Sequence, residues 1–486
     1  MPAAPGTKGV IQWIEDQNDF FVSFVFANAS FFGVQQGLRG LVSVFVVVTH
    51  VSRAWDYSLF FPRDSSNATP RLLQLPILRV PPQGRIGVPL FAFLTGFVCA
   101  AKPLRLAYQQ DQQHAAVMSM ARSAFRRPIR LMLPAALATF CSFLMSIVGG
   151  YKAANRCDSQ WVRFDAPGTE PFGTDLARFL RTLITTWTDA NNPYDRHQWA
   201  MKRLLIGAFQ VYGVLIVTMG MRFRYRIMVN VTLLAYWWLN RGPFTETFGA
   251  PLVLGTLVAE LGQHQPTQSF IKSRQRLLTY FVAPVIIILG LYLGSYPQEH
   301  EDWALWSRHL EQTFVRKGAP EGQRGSFLVP EGTSSHRRFS SIGVMLVITG
   351  LFLAPRFQDA LANKYLQKAG QYSFAVYLVH GTILRTIGVW IIYGISGEPW
   401  TKAGKNPDGS DQTQEWIQRR GPVHVFISIV VFIVLTYSAA YAWVRWVDST
   451  CARITLWLEA KMFPGKDADS NASQEKQLPK PNQYPV

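Results

Sequence analysis

Ten apolar stretches, most of them long enough to cross a bilayer as helices, recur between polar connections along residues 38–446. A hydrocarbon core of about 30 Å takes roughly 20 helical residues. In that core only helices or closed barrels can satisfy every backbone polar group. The stretches lie at approximately 38–55, 86–101, 131–150, 204–221, 227–240, 244–262, 277–295, 339–354, 372–394 and 422–446. The strongest, Val423–Tyr441, holds an unbroken Ile-Val-Val-Phe-Ile-Val-Leu run and no Asp, Glu, Lys or Arg; the second and eighth are short. The fifth ends in Tyr236, Trp237 and Trp238, the residue types that settle at the membrane–water interface. The pattern predicts an all-α, polytopic membrane protein with about ten transmembrane helices. The membrane domain spans 37–461. Residues 1–36 form a cytosolic N-terminal segment in which Phe20–Val34 reads as an interfacial helix, and 462–486 form a disordered tail. Glu15, Asp16 and Asp19 interrupt the start of the chain, so no cleavable signal peptide is expected.

Charge orients the spans. Only 16% of the 486 residues are charged, yet the net charge is +18. With the N-terminus in the cytosol, the short connections 102–130, 222–226, 263–276 and 355–371 carry 15 basic and 2 acidic residues. The longer outer connections carry 23 basic and 19 acidic residues. That asymmetry places both termini in the cytosol. It also accounts for most of the basic excess, which therefore does not point to nucleic acid. Asn67-Ala-Thr69 then falls outside, where a glycan could be added. The four cysteines are too scattered for a disulfide scaffold or a metal site, and no metal is expected.

A few ionisable residues lie inside the spans, where they are costly and mark function. Arg39 and His50 are eleven residues apart, nearly three helical turns, so they share a face about 16 Å apart along the axis. Ser43 lies near the same stripe. His380 lies about 12 Å into the ninth span, with Ser373 and Tyr377 before it and Arg385 beyond it. His50 and His380 meet only if the first and ninth spans pack together. Taken singly, each histidine is as readily a structural helix–helix bond as a catalytic group. Arg126, Arg127 and Arg130 cluster at the cytosolic entrance to the third span. Their guanidinium forks suit phosphates; a positive-inside lipid anchor has the same composition.

In order along the chain, four motifs resemble the integral-membrane acyltransferase family 3, its fungal branch in particular. They are Gly37-Leu-Arg39-Gly-Leu with His50, Gly84-Arg85-Ile-Gly87 through Thr95-Gly96-Phe97, Phe125-Arg126-Arg127 with Arg130 and Pro134, and Tyr372-Ser373 with Tyr377-Leu-Val-His380. The resemblance implies transfer of an acyl group, often acetyl, from acyl-CoA to a hydroxyl of a small acceptor such as a secondary metabolite, with no bound cofactor. His50 would act as base or as nucleophile. His380, Tyr377 or Ser373 would orient it or donate to the oxyanion. Arg39, Arg126, Arg127 and Arg130 would hold the donor phosphates. The endoplasmic reticulum or another endomembrane is the default location. One departure stands out: Leu204 occupies the position, five residues after Trp199, where the family carries glutamate. That departure keeps a transporter or a scaffold open as alternatives.

Overall fold

The computed structural model describes residues 29–108, 113–168, 170–321, 323–397, 401–405 and 411–463. Ten long helices account for the ten apolar stretches: α1 (Ala29–Trp55), α2 (Gly87–Tyr108), α3 (Gln113–Ile147), α4 (Trp199–Thr218), α5 (Phe223–Leu239), α6 (Thr245–Gln263), α7 (Gln275–Gly294), α8 (Ser335–Leu353), α9 (Lys364–Tyr393) and α10 (Pro422–Met462). The architecture is all-α. A two-stranded antiparallel hairpin, Thr401–Lys405 with Asp411–Glu415, is confined to the α9–α10 connection.

Among the described residues, seven of these helices are individually long and apolar enough to span a membrane. α8 and Pro355–Leu361 pass the same test only together, across a 109° bend, and make an eighth if the bent pair is one span. α5 and α6 fall outside that set. α6 is buried along nearly its whole length, Glu246, Thr247, Thr256 and Glu260 included, so its composition answers to protein neighbours and not to lipid. Lipid-facing character is clearest on α4, α7 and α10, where Ile216, Val217, Phe281, Val285, Val423, Phe426 and Val434 are exposed.

Two boundaries differ from the sequence expectation. Residues 113–130, read as a connection, belong to α3, whose 35 residues extend about 52 Å. Pro128 and Pro134 lie inside the helix. The Ala-, Met-, Gln- and Arg-rich stretch before them is a good helix former despite its polarity. α10 likewise runs to Met462, well past the bilayer it enters. Of the proposed interfacial helix Phe20–Val34, residues before Ala29 lie outside the described chain; from Ala29 onward the chain is already part of α1. The proposed tail lies outside the described residues from 464 on.

The helices are drawn together at glycines. A Cβ on Gly40 would stand 2.1 Å from the Leu366 carbonyl oxygen, and one on Gly370 would stand 2.0 Å from that of Gln36. α1 and α9 therefore meet backbone to backbone. α2 and α6 do the same at Gly96 and Gly255, where an added Cβ would lie 1.9 Å from the Leu252 oxygen and 2.2 Å from the Phe93 oxygen. Small residues permit this approach, and van der Waals contact drives it where lipid offers no hydrophobic gain. Leu38 and Val42 of α1, Leu90 and Phe93 of α2, Leu254 of α6 and Val344 of α8 fill one core between these pairs.

Gly370→Ala should therefore destabilise the protein by about 1–3 kcal/mol or more through overpacking. Gly213→Ala on α4, with nothing within 4 Å of the added methyl, should be neutral or stabilising by up to about 1 kcal/mol. Melting of the two variants in detergent, followed by size-exclusion of the heated samples, checks the opposite signs.

Candidate active site

The approach of α1 to α9 brings His50 and His380 into contact. His380 Nε2 lies 2.8 Å from His50 Nδ1, with the rings stacked at 4.8 Å between centroids. His380 Nδ1 lies 2.9 Å from the Val376 carbonyl oxygen, which only accepts. Nδ1 of His380 must then carry the proton, and Nε2 accepts. His50 must donate from Nδ1, which leaves its Nε2 as a lone pair. His50 lines the main cavity, and among the described residues nothing bonds to that Nε2.

A third imidazole completes the cluster. His197, in the turn just before α4, packs 4.1 Å from the His50 ring centroid. Its Nδ1 lies 2.7 Å from Asp195 Oδ1, and its buried Nε2 has no hydrogen-bond partner. Asp195 accepts from Arg385 Nη2 at 3.1 Å. Arg385 also donates to the carbonyls of Gly381, Tyr194 and Asp165. It sits in a π-helical turn of α9, Leu384–Gly388, a distortion common at functional sites. Gly381 makes room for the network: a Cβ there would stand 2.7 Å from both Asp195 Oδ1 and His197 Nδ1. Burial pushes the Asp165 carboxyl up from its ordinary range, against the opposing charge of Arg385. The Trp161 ring stacks on His50.

The expected residues sort cleanly. Arg39, His50, Arg126, Arg127, Arg130, Ser373 and Tyr377 line one cavity of about 1910 Å³. That volume exceeds the roughly 300–1,000 Å³ of an ordinary single-ligand pocket. His380 and Arg385 are fully buried behind the cavity wall. Tyr377 and Ser373 spend their hydroxyl protons on the backbone oxygens of His197 and Gly370, so they position neighbours and hold no proton free for an oxyanion. Ser43 is buried without a partner and does not line the cavity. It lies one turn beyond Gly40, where α9 presses against α1. Arg126 is partly committed, 3.3 Å from Glu459 of α10. Leu204 lines the cavity with its apolar side chain. Asn67 is exposed in the α1–α2 connection.

His197 and Asp195 escaped the sequence reading. The signal was an Asp-x-His pair immediately ahead of the Trp199 motif, passed over as loop. The histidines also bear on the expectation of no metal. One nitrogen from each of His50, His197 and His380 falls within 4.8 Å of the others, a donor set that suits a zinc-like ion. The spacing of 147 and 183 residues hides it from any linear motif. In this geometry His50 Nδ1 and His380 Nε2 already bond to each other.

The model of the acyltransferase domain family known as Acyl_transf_3 matches residues 36–444. The chain belongs to this family. It is 23% identical over 463 residues to the O-acetyltransferase PaAT-1 of Phomopsis amygdali, covering 88% of this chain and 86% of that one. It is 22% identical to acyltransferase R4 of a Phoma species, covering 74% and 85%. It is also 22% identical to acyltransferase clz18 of Cochliobolus lunatus, covering 72% and 82%. No solved structure matches the chain. The protein is thus a membrane O-acyltransferase, and the transporter and scaffold alternatives fall away.

Arg385→Met should cost about 3–5 kcal/mol, because it strands the Asp195 carboxylate in the protein interior. The double variant Arg385→Met, Asp195→Asn should recover part of that loss. Thermal melts of the three variants, combined as a double-mutant cycle, check the coupling.

Proposed function

We propose that the protein transfers an acyl group, best represented by acetyl, from acyl-CoA to the hydroxyl of a small molecule. The single observation that carries this reading is the His50 Nε2 lone pair, set by the His380 bond and open to the shared cavity. A positioned imidazole is an effective general base near neutral pH. The acceptor oxygen attacks the thioester carbonyl carbon while its proton passes to His50 Nε2. The tetrahedral adduct collapses with cleavage of the C–S bond. The leaving thiolate recovers the proton from His50, giving ester and free CoA. His380 and the Asp195–His197 pair are positioning groups in this scheme.

Donor and base fit the same axis. Arg39, Arg127 and Arg130 line the end of the cavity that the charge asymmetry assigns to the cytosol. CoA phosphates would rest there, and the slim pantetheine arm would span the 16 Å or so to His50. With both termini cytosolic, the opposite end faces the lumen or exterior of an endomembrane such as the endoplasmic reticulum, and Asn67 with it. The O-acetyltransferase name of one relative supports acetyl as the acyl group; a secondary metabolite is the proposed acceptor class.

Purified protein given acetyl-CoA and a panel of alcohols should release free CoA and form an ester detectable by mass spectrometry. His50→Ala should lower turnover by about 10²–10⁴-fold, the usual worth of a general base, while remaining monodisperse. Near-wild-type turnover by that variant would sink the mechanism. A strong chelator should leave wild-type turnover unchanged; loss restored by added zinc would assign the three histidines to a metal instead. Arg39→Ala should raise the KM for acetyl-CoA more than it lowers kcat.

A further inference from the structure

The cavity is strongly basic at both ends, and only one end is accounted for by the donor. Among the described residues its lining holds nine arginines and one lysine against two carboxylates, Asp448 and Glu459. Both carboxylates belong to α10, at the cytosolic end. Beyond the histidines stand three further arginines: Arg53 near the end of α1, Arg85 just ahead of α2, and Arg337 in the first turn of α8. The helix directions put all three at the outer end. Arg39 and Arg53 are fourteen residues apart on α1, about 21 Å, with His50 between them.

Two of these guanidiniums rest on aromatic rings without using their N–H groups. Arg53 lies over the Phe60 ring at 4.9 Å and Arg337 over the Phe244 ring at 4.0 Å. Among the described residues none of the three donates a hydrogen bond or joins an ion pair, and the Nε atoms of Arg53 and Arg85 are buried without a partner. The acidic charges sensed by the group, Asp165 and Glu299 at Arg53, Glu299 at Arg85 and Glu246 at Arg337, make no ion pair with these three arginines among the described residues. Burial, and after it the charge of Arg53, holds Arg85 below the ordinary arginine range. Thr247, at the outer end of α6, is buried, lines the same region and has an unpartnered hydroxyl. Three like charges with idle donors around a cavity are a costly arrangement for a fold alone, and a suitable one for an anion.

We propose that Arg53, Arg85 and Arg337, with Thr247, form an anion subsite for the acceptor, so that the molecule acylated carries a carboxylate or phosphate as well as its hydroxyl. The inference rests on the transfer reaction proposed above. Arg53 follows His50 by three residues, a rise of about 4.5 Å. The acceptor's anionic group and its reacting hydroxyl are therefore separated by a short spacer, not by a long chain.

The test uses full-length protein in phosphatidylcholine nanodiscs and three matched short-spacer probes: 3-hydroxybutanoate, its methyl ester and 3-hydroxybutyl phosphate. Binding is read from tryptophan fluorescence, and transfer from CoA release with acetyl-CoA in the same samples. Wild-type protein should bind at least one anionic probe about tenfold or more tighter than the neutral ester; the arm that binds tighter separates carboxylate from phosphate. Arg85→Gln and Arg337→Gln should each abolish that preference, and Arg85→Lys should retain part of it. Equal binding of acid, phosphate and ester by wild type overturns the subsite, as does a preference that survives both glutamine variants. If either glutamine variant fails to fold, the other and the wild-type comparison still decide. Discrimination between probes with no ester formed refutes the transfer reading and leaves the subsite standing. Ester formation without discrimination refutes the subsite alone.

Discussion

The contact of α1 with α9 at Gly40 and Gly370 is the constraint on which the site depends. Each glycine faces a carbonyl oxygen of the opposite helix at a distance no Cβ can occupy. The backbones are therefore locked at one separation, and the two helices run together from that point. Further along, Val47 of α1 packs with Ala375 and Val376 of α9, and His50 Nδ1 comes to 2.8 Å from His380 Nε2. A hydrogen bond between imidazoles tolerates little error in distance, so the glycine contact fixes chemistry as well as packing. The same contact explains why Ser43 is walled off from the cavity while Val46, Thr49 and His50, further along the helix, are open to it.

A second layer fixes orientation. An imidazole ring in an apolar interior can flip between tautomers unless each nitrogen has a partner of definite polarity. The Val376 carbonyl decides His380, His380 decides His50, and Asp195 decides His197. Arg385 anchors this chain by neutralising Asp195 while tying α9 to the carbonyls of residues 165 and 194. A buried ion pair of this kind stabilises little by itself. Its value is specificity: the α3–α4 connection, which carries Asp165, Tyr194, Asp195 and His197, is held against α9 in one register.

Sequence patterning exposed the helices well and their partners poorly. Hydropathy finds α4, α7 and α10 because each turns a broad face to lipid, and it finds α1 by its long apolar run. It undervalues α6, whose acidic and hydroxyl residues meet only protein, and it misplaces the start of α3, where a polar helix continues beyond the membrane. Arg39, His50 and His380 were legible because a charge or imidazole within an apolar run is conspicuous. His197 was not, because it lies in a polar connection where a histidine is unremarkable. Its role comes from a fold that carries residue 197 to the same point as residues 50 and 380. Arg53 and Arg85 were hidden for a related reason: at the ends of spans, they read as ordinary interfacial charges until the cavity shows which way they face.

α1 would act as a ruler for the proposed reaction, with His50 as its proposed base. Along one helix it places a phosphate-suited arginine, a base and a second arginine at intervals of eleven and three residues, or about 16 and 4.5 Å. That asymmetry says something about what each side of the cavity can serve. The long interval suits a reactive carbonyl carried at the tip of a slender arm whose charged end stays at the surface. The short interval suits a compact partner whose polar anchor and reacting oxygen are close together. Were the intervals reversed, the thioester could not reach His50 without drawing the donor's phosphates into the apolar interior, which is prohibitively costly for unpaired charge. In the proposed reaction the spacing thus favours the Arg39 end for an acyl-CoA donor, whichever side of the membrane that end faces.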